Sequence, residues 1–394
     1  MLTLAGIQFT HILDFMIMMP LGPQFTQLFN ITGAQFGLLV SAYTLAAGAS
    51  GLVASAYIDR FGRKRLLLVL YSLFALATLA CGLAPTYASL MLARIAAGIF
   101  GGVLSALSQT IVGDVIPFER RGRAMGIVMT AFSAASVAGV PAGLFLAAHW
   151  GWHAPFFAIA ALSALFAVFA AVTLPALTDH LQSSQSSSAM GRIGSVLADT
   201  NHLKAFAFSA LLMFAGFTTV PYLAMNLQFT VGLKSEELPY VYLFGGAATL
   251  LTARWIGRLS DSWGKVASLR LLAGVSIPVL LATTLMPPGM PLWLVLSIST
   301  LFMIVMSGRM IPGMAITTSA ANPALRGTFM SLNSAVQSAG MGVAAFVGGS
   351  LISRASNGQL QNYWMTAVVG GMASLSGIWL VGRLDLRISA QKAA

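Results

Sequence analysis

Asp14 and Arg94 are charged side chains set inside long apolar runs of this 394-residue chain. A carboxylate and a guanidinium in such surroundings have one chemistry open to them, the uptake and release of a proton. A guanidinium close by favours the ionised carboxylate and drives the proton off; with the guanidinium diverted, desolvation makes the carboxylate hold one. Asp14 lies about ten residues into the first run and Arg94 about six residues into the fourth. At 1.5 Å per residue the two Cα atoms are then ~6 Å apart along the helix axes, a gap that an arginine side chain spans. His11, three residues before Asp14 on the same helical face, is placed either to relay protons or to serve as a hydrogen-bonded structural histidine. The alternative for the pair is a static salt bridge that fixes helix packing.

Arg309 stands in another apolar run with no acidic residue in its own segment. It either binds a carbonyl, a helix terminus or water, or it holds an anionic or carbonyl-bearing part of a ligand. The polar side chains expected to face a central cavity are Tyr43, Gln109, Tyr222, Asn226, Asn333 and Gln337. The last two, four residues apart, share one helix face. Met18 and the other interleaved methionines add an adaptable apolar lining.

Such groups need helices that cross a bilayer to position them. Hydrophobic residues make up 57% of the chain and charged residues 8%, with a mean hydropathy of +0.84; a soluble domain carries about 25% charged residues. Apolar runs predict twelve helices, at 4–27, 35–57, 66–84, 88–113, 122–148, 153–175, 204–229, 238–258, 267–287, 291–317, 327–352 and 362–383. Each is near or above the ~20 residues needed to span. The formal charge of +11 would suit a nucleic-acid binder, but 16 of the 21 Lys and Arg residues fall in alternate short loops. That is the positive-inside pattern, which excludes a nucleic-acid partner and places both termini in the cytoplasm. Cys81 is the only cysteine, so neither a disulfide nor a cysteine metal site is expected, and it is read as a small packing residue. The first run has no Lys or Arg before it, which predicts a retained helix rather than a signal peptide.

The sequence contains no Gly-Lys-Ser/Thr phosphate loop, no His-Glu-x-x-His and no Gly-x-Ser-x-Gly, so neither an enzyme nor a resident cofactor or metal is expected. Energy must come from an ion gradient or from the solute's own.

Residues 178 to 200, including the Gln/Ser run 182–188, lack apolar periodicity and predict a cytoplasmic linker. It divides the chain into 1–176, 177–203 and 204–394. The two flanks repeat each other. Asp59-Arg-Phe-Gly62-Arg63-Lys64 recurs as Asp261-Ser-Trp-Gly264-Lys265, and Arg121-Gly-Arg-Ala-Met125 as Arg326-Gly-Thr-Phe-Met330, at offsets of 202 and 205 residues. A duplicated six-helix unit follows, of the kind that binds substrate between its halves and exposes it alternately to either side.

These residues resemble the major facilitator superfamily over essentially the whole chain, and more narrowly its twelve-helix drug/proton antiporter and sugar-efflux branches. Asp59, Arg60, Gly62, Arg63 and Lys64 match the family's loop pattern Gly-x-Leu-Ala-Asp-Arg-x-Gly-Arg-Lys, with Ser55 in place of the first Gly. Arg94-Ile-Ala-Ala-Gly98 is similar to its intramembrane Arg motif, with Ala97 where Gln is common. Gly139-Val-Pro141-Ala-Gly143 is similar to the Gly-Pro motif of antiporters, with Val140 inserted. The resemblance implies an all-α membrane protein of two pseudo-symmetric six-helix bundles. It also implies gating roles for Asp59, Arg60, Gly62, Arg63, Lys64, Asp114, Arg121, Asp261, Gly264 and Arg326.

The expectation is a monomeric secondary transporter of a bacterial inner membrane that exports a small amphipathic or lipophilic compound in exchange for protons. Arg309 motivates an alternative, uptake or exchange of an organic anion or sugar. A receptor or scaffold on the same fold would need neither Asp14 nor Arg94.

Overall fold

In hydrocarbon each backbone donor must be satisfied within its own segment, so helices dominate. The computed structural model describes residues 2–58, 61–115, 130–175 and 189–386. Helices lie over every expected run. In the first half they are α1 (Leu2–Ile17), α2 (Gly22–Leu28), α3 (Gly33–Tyr57), α4 (Arg63–Gly82), α5 (Tyr87–Val115), α6 (Thr130–Trp150) and α7 (His153–Thr173). A short α8 (Ala189–Leu197) follows. The second half comprises α9 (Thr200–Val231, with 3-10 and π turns after Phe217), α10 (Leu238–Trp263), α11 (Lys265–Thr284), α12 (Leu292–Ala320), α13 (Arg326–Leu351) and α14 (Tyr363–Val381).

Among the described residues nine helices are long and apolar enough to cross a membrane, and α1 with α2 makes a tenth span bent by 54°. The remaining two long helices, α10 and α13, have 26 residues each and are more polar. α10 carries Arg254, Arg258 and Asp261; α13 carries Ser331, Asn333, Ser334, Gln337 and Ser338.

The structure departs from the sequence expectation in three places. The first run is two helices, because Pro20 supplies no amide donor where the bend falls. Pro221, 201 residues further on, falls in the 3-10 turn that interrupts the α-helical pattern of α9, so the two halves carry an irregular first helix at nearly the repeat offset although α9 remains one span. The predicted linker is not wholly irregular: α8 occupies part of it and buries Val196 against the second bundle. A two-residue-per-strand hairpin, β1 (Ser353–Arg354) with β2 (Leu360–Gln361), joins α13 to α14.

Glycines let helices approach backbone to backbone, the small-residue packing that membranes favour. Gly98 and Gly102 of α5 lie against the Tyr43 and Ala47 backbones of α3, while Gly33 and Gly37 of α3 lie against Gly349 and Ala345 of α13. α3 is thus wedged between its own bundle and the other. α6 and α10 form the second contact between halves, where Gly246 meets Ser136 and Val137.

Candidate functional site

Reciprocal caps set the register of the helices that carry the site. Thr32 accepts from Gln35 N at 3.2 Å while Gln35 Oε1 accepts from Thr32 N at 2.9 Å, which starts α3 and places Tyr43. Thr86 and Ser89 exchange the same pair of bonds at 3.2 and 3.1 Å ahead of α5 and Arg94. From α5, Arg94 Nη1 reaches Asp14 Oδ2 at 2.8 Å and Asp14 O at 3.3 Å. Thr78 of α4 donates to the other carboxylate oxygen at 3.2 Å. Both charged side chains are wholly buried, so the pair is screened by no solvent and each partner is costly to strand alone.

Aromatic rings close the site. The guanidinium lies over the Tyr43 ring, 4.2 Å from its centroid. His11 stacks near Tyr43 at 6.2 Å and tilts toward Phe74 at 5.8 Å. Neither ring nitrogen of His11 has a hydrogen-bond partner, nor does Tyr43 Oη or Arg94 Nε and Nη2. His11 therefore joins the cluster without a hydrogen bond to Asp14, and a direct relay between them is not formed in this conformation. Phe15 stacks on Tyr43 at 5.5 Å and on Phe217 of the second half at 6.1 Å. Gly139 and Gly143 of α6 receive Leu13, which precedes Asp14, and Ile17, three residues after it along α1, and Pro141 lies between the two glycines just past a π turn at Ala135–Gly139.

The other predicted residues are not brought together. Tyr222 donates to Ala345 O and meets Phe36 edge-on at 6.0 Å, closing the seam between α9, α3 and α13. Asn226 donates to Thr283 O at 3.5 Å, and Met18 is buried in the core at the same end. Asn333 is buried with an unpartnered Oδ1, and Gln337 is half-buried on the same helix. Arg309 is buried inside the second bundle, bound to Ser374 Oγ at 3.1 Å and Leu212 O at 3.2 Å. Of the loop residues, Arg63 donates to Ile58 O at 2.9 Å, Lys64 is half-buried, Asp261 is exposed and Arg326 keeps a buried Nε without a partner. Gly264 adopts φ 91° between α10 and α11, whereas Gly62 has φ −58°. Asp59, Arg60 and Arg121 lie outside the described residues, as do the side chains of Gln109 and Asp114.

Thr78, Phe15 and Phe217 were not anticipated from sequence. Only their chemical types, a hydroxyl and two rings in apolar runs, were on view, and those are too common to point anywhere.

Sequence comparison places the chain. The profile of the Major Facilitator Superfamily matches residues 4–345. The chain belongs to this superfamily. It is accordingly a transporter, a multi-pass membrane protein that binds small-molecule substrate within a lipid bilayer. Similar proteins include the uncharacterised MFS-type transporter YtbD of Bacillus subtilis (strain 168), 24% identical over 88% of this chain and 85% of that protein. Multidrug resistance protein 2 of the same organism is 28% identical over 39% of this chain and 38% of its own. A bacterial homologue of the human lysosomal transporter Spinster, solved inward-facing and occupied, superposes with a TM-score of 0.77 at 19% identity over 98% of this chain and 97% of that one. These likenesses show the two-domain fold of the superfamily.

Proposed function

We propose that this protein is a proton-coupled exporter of small amphipathic or lipophilic compounds, in which Asp14 carries the proton and Arg94 is its displaceable partner. The observation that carries the proposal is the wholly buried Asp14–Arg94 pair and its mechanical neighbours. Ionisable residues at such depth are costly unless they serve a pathway. The guanidinium rests on Tyr43, Tyr43 on Phe15, and Phe15 on Phe217 of the opposite half. Tilting the halves or seating an apolar compound among these rings displaces the guanidinium, and the carboxylate then takes up a proton. Export is supported by the partial likeness to Multidrug resistance protein 2 and by the Gly139/Pro141/Gly143 segment that packs on both sides of Asp14. Arg309 is engaged within its own bundle and lends no support to an organic-anion cargo. On this reading the basic loops face the cytoplasm of a bacterial cell and the protein works as a monomer.

Reconstituted vesicles test it. Substrate-induced proton movement should disappear in Asp14→Asn while substrate still binds, since the amide oxygen keeps an acceptor for Thr78. Undiminished proton movement in that variant removes Asp14 from the coupling.

A further inference from the structure

Arg94 and Arg309 are the two largest fully buried side chains of the described residues, and each lies on the fourth apolar run of its half. The 202-residue offset that carries Asp59 onto Asp261 carries Asp14 onto Gly216. In the first bundle Arg94 reaches Asp14; in the second, Arg309 reaches Gly216, where an added Cβ would stand 2.9 Å from Nη2. The second half sets a guanidinium against this position with no carboxylate on it. Ser374 and Leu212 hold Nη1 and Nη2, but Nε has no partner. Among the described residues no carboxylate forms an ion pair with Arg309, and Asp14 is the only acidic residue set inside an apolar run. Arginine stays protonated in proteins, and a lone buried charge costs several kcal/mol. Among the described residues nothing neutralises it.

Beside the guanidinium is a cavity of about 10 Å³, lined by Leu212, Ala215, Ala273, Ser374 and Gly377 as well as Arg309. Space of that size takes one particle near the dimensions of a water molecule. An organic carboxylate would need the walls to repack extensively. We propose that Arg309 and this cavity bind a monatomic anion of the chloride class, which stands in for the carboxylate that Asp14 supplies in the first bundle. Arg309 Nε and the Ser374 hydroxyl are the donors, and small relaxations of Leu212 admit the ion. The site lies within the second bundle and is independent of the proton-coupling proposal.

Cys81, the sole cysteine and fully buried, reports unfolding when a thiol-reactive dye gains access to it. Purified protein is titrated with sodium chloride replacing sodium gluconate at constant ionic strength, and the thermal midpoint is read. A ligand bound only by the folded state should raise it saturably, on the order of 2 °C. The rise should survive in Asp14→Asn and vanish in Gly216→Asp, whose carboxylate neutralises Arg309 from within, and in Arg309→Met, which has nothing to neutralise. A flat wild-type titration overturns the proposal, as does an undiminished rise in a folded Gly216→Asp or Arg309→Met protein. Should both variants fail to fold, bromide soaked into wild-type crystals decides. An anomalous peak beside Arg309 Nε upholds the site, and no peak there at saturating bromide removes it.

Discussion

Two roles compete for the Asp14–Arg94 pair, a proton device and a rivet, and stability and transport separate them. Removing one partner of a buried pair typically costs about 3–5 kcal/mol, because the other charge is left stranded, while replacing both by apolar residues is often near neutral. Arg94→Met is therefore expected to lower the thermal midpoint sharply and Asp14→Leu/Arg94→Met to restore most of it. The restored double variant should have no substrate-coupled proton flux. A rivet predicts that flux returns with stability; a proton device predicts that it does not. Thr78→Val should cost about 1 kcal/mol by deleting one hydrogen bond to the carboxylate, and Thr78→Ser should cost less because it keeps the hydroxyl. The charged pair was legible in the sequence because ionised groups in apolar runs are rare and each demands a partner. Thr78 was not, since intramembrane hydroxyls commonly bond back to their own helix, as Thr26, Thr44 and Thr110 do here. His11 was legible by spacing alone, and spacing on a helix cannot say that Tyr43 and Phe74 take the contacts on that face.

Element by element, apolar length decided where the helices run, and it could not show where they break. Proline is tolerated in membrane helices because neighbours re-satisfy the freed carbonyls, so Pro20 and Pro221 read as continuous runs although the first marks a bend and the second a 3-10 turn. α8 was illegible because a nine-residue helix carries too few turns to show a period, and it is held from outside. His202, buried beside it, bonds Val196 O at 3.2 Å and accepts from Asn322 N at 3.0 Å. The repeated glycines of the loops also look alike in sequence and differ in physics. Gly264→Ala forces a residue with Cβ to φ 91° and is expected to cost about 1–3 kcal/mol, whereas Gly62→Ala meets no such strain at φ −58°. Thermal midpoints of the two variants should differ accordingly; equal losses would mean that the loop relaxes. At the α3–α5 seam, Gly102→Ala drives a methyl into the Ala47 backbone, while Gly257→Ala points into open space and should be stabilising by roughly 0.5–1 kcal/mol.

At the scale of the molecule, the two halves meet along α3 and α13, and this seam connects the Asp14–Arg94 pair to any tilting of the bundles. Ser41 Oγ, buried on α3, donates across the seam to Gly342 O at 2.6 Å. One turn nearer the face away from the basic loops, Gly37 seats the Ala345 carbonyl, and beyond it Gly33 meets Gly349. Gly22 and Phe36 of the first half close on Met225 and Tyr222 of the second at the same end. On the proposed transport cycle this end has to part, so the Ser41 bond has to break in the other state. The single hydroxyl hydrogen of Ser41 is shared with Gly37 O of its own helix, at 2.7 Å, and the backbone bonds of α3 do not depend on it, so removing the hydroxyl leaves α3 intact and takes away one interaction specific to the closed seam. Ser41→Ala is then expected to shift the balance toward the parted state by about 1 kcal/mol, roughly fivefold in population. In a Cys81→Ala background, spin labels at Leu28 and Ser356, both exposed near that end, read the separation of the halves. A larger long-distance fraction in Ser41→Ala is the expected outcome. Because Tyr43 lies two residues further along α3 and supports the Arg94 guanidinium, the same variant should also change the pH at which substrate drives proton movement. A shift in distance with no change in that pH profile would mean that the seam opens without disturbing the pair, and coupling would then have to run through Phe217 and Phe15 instead.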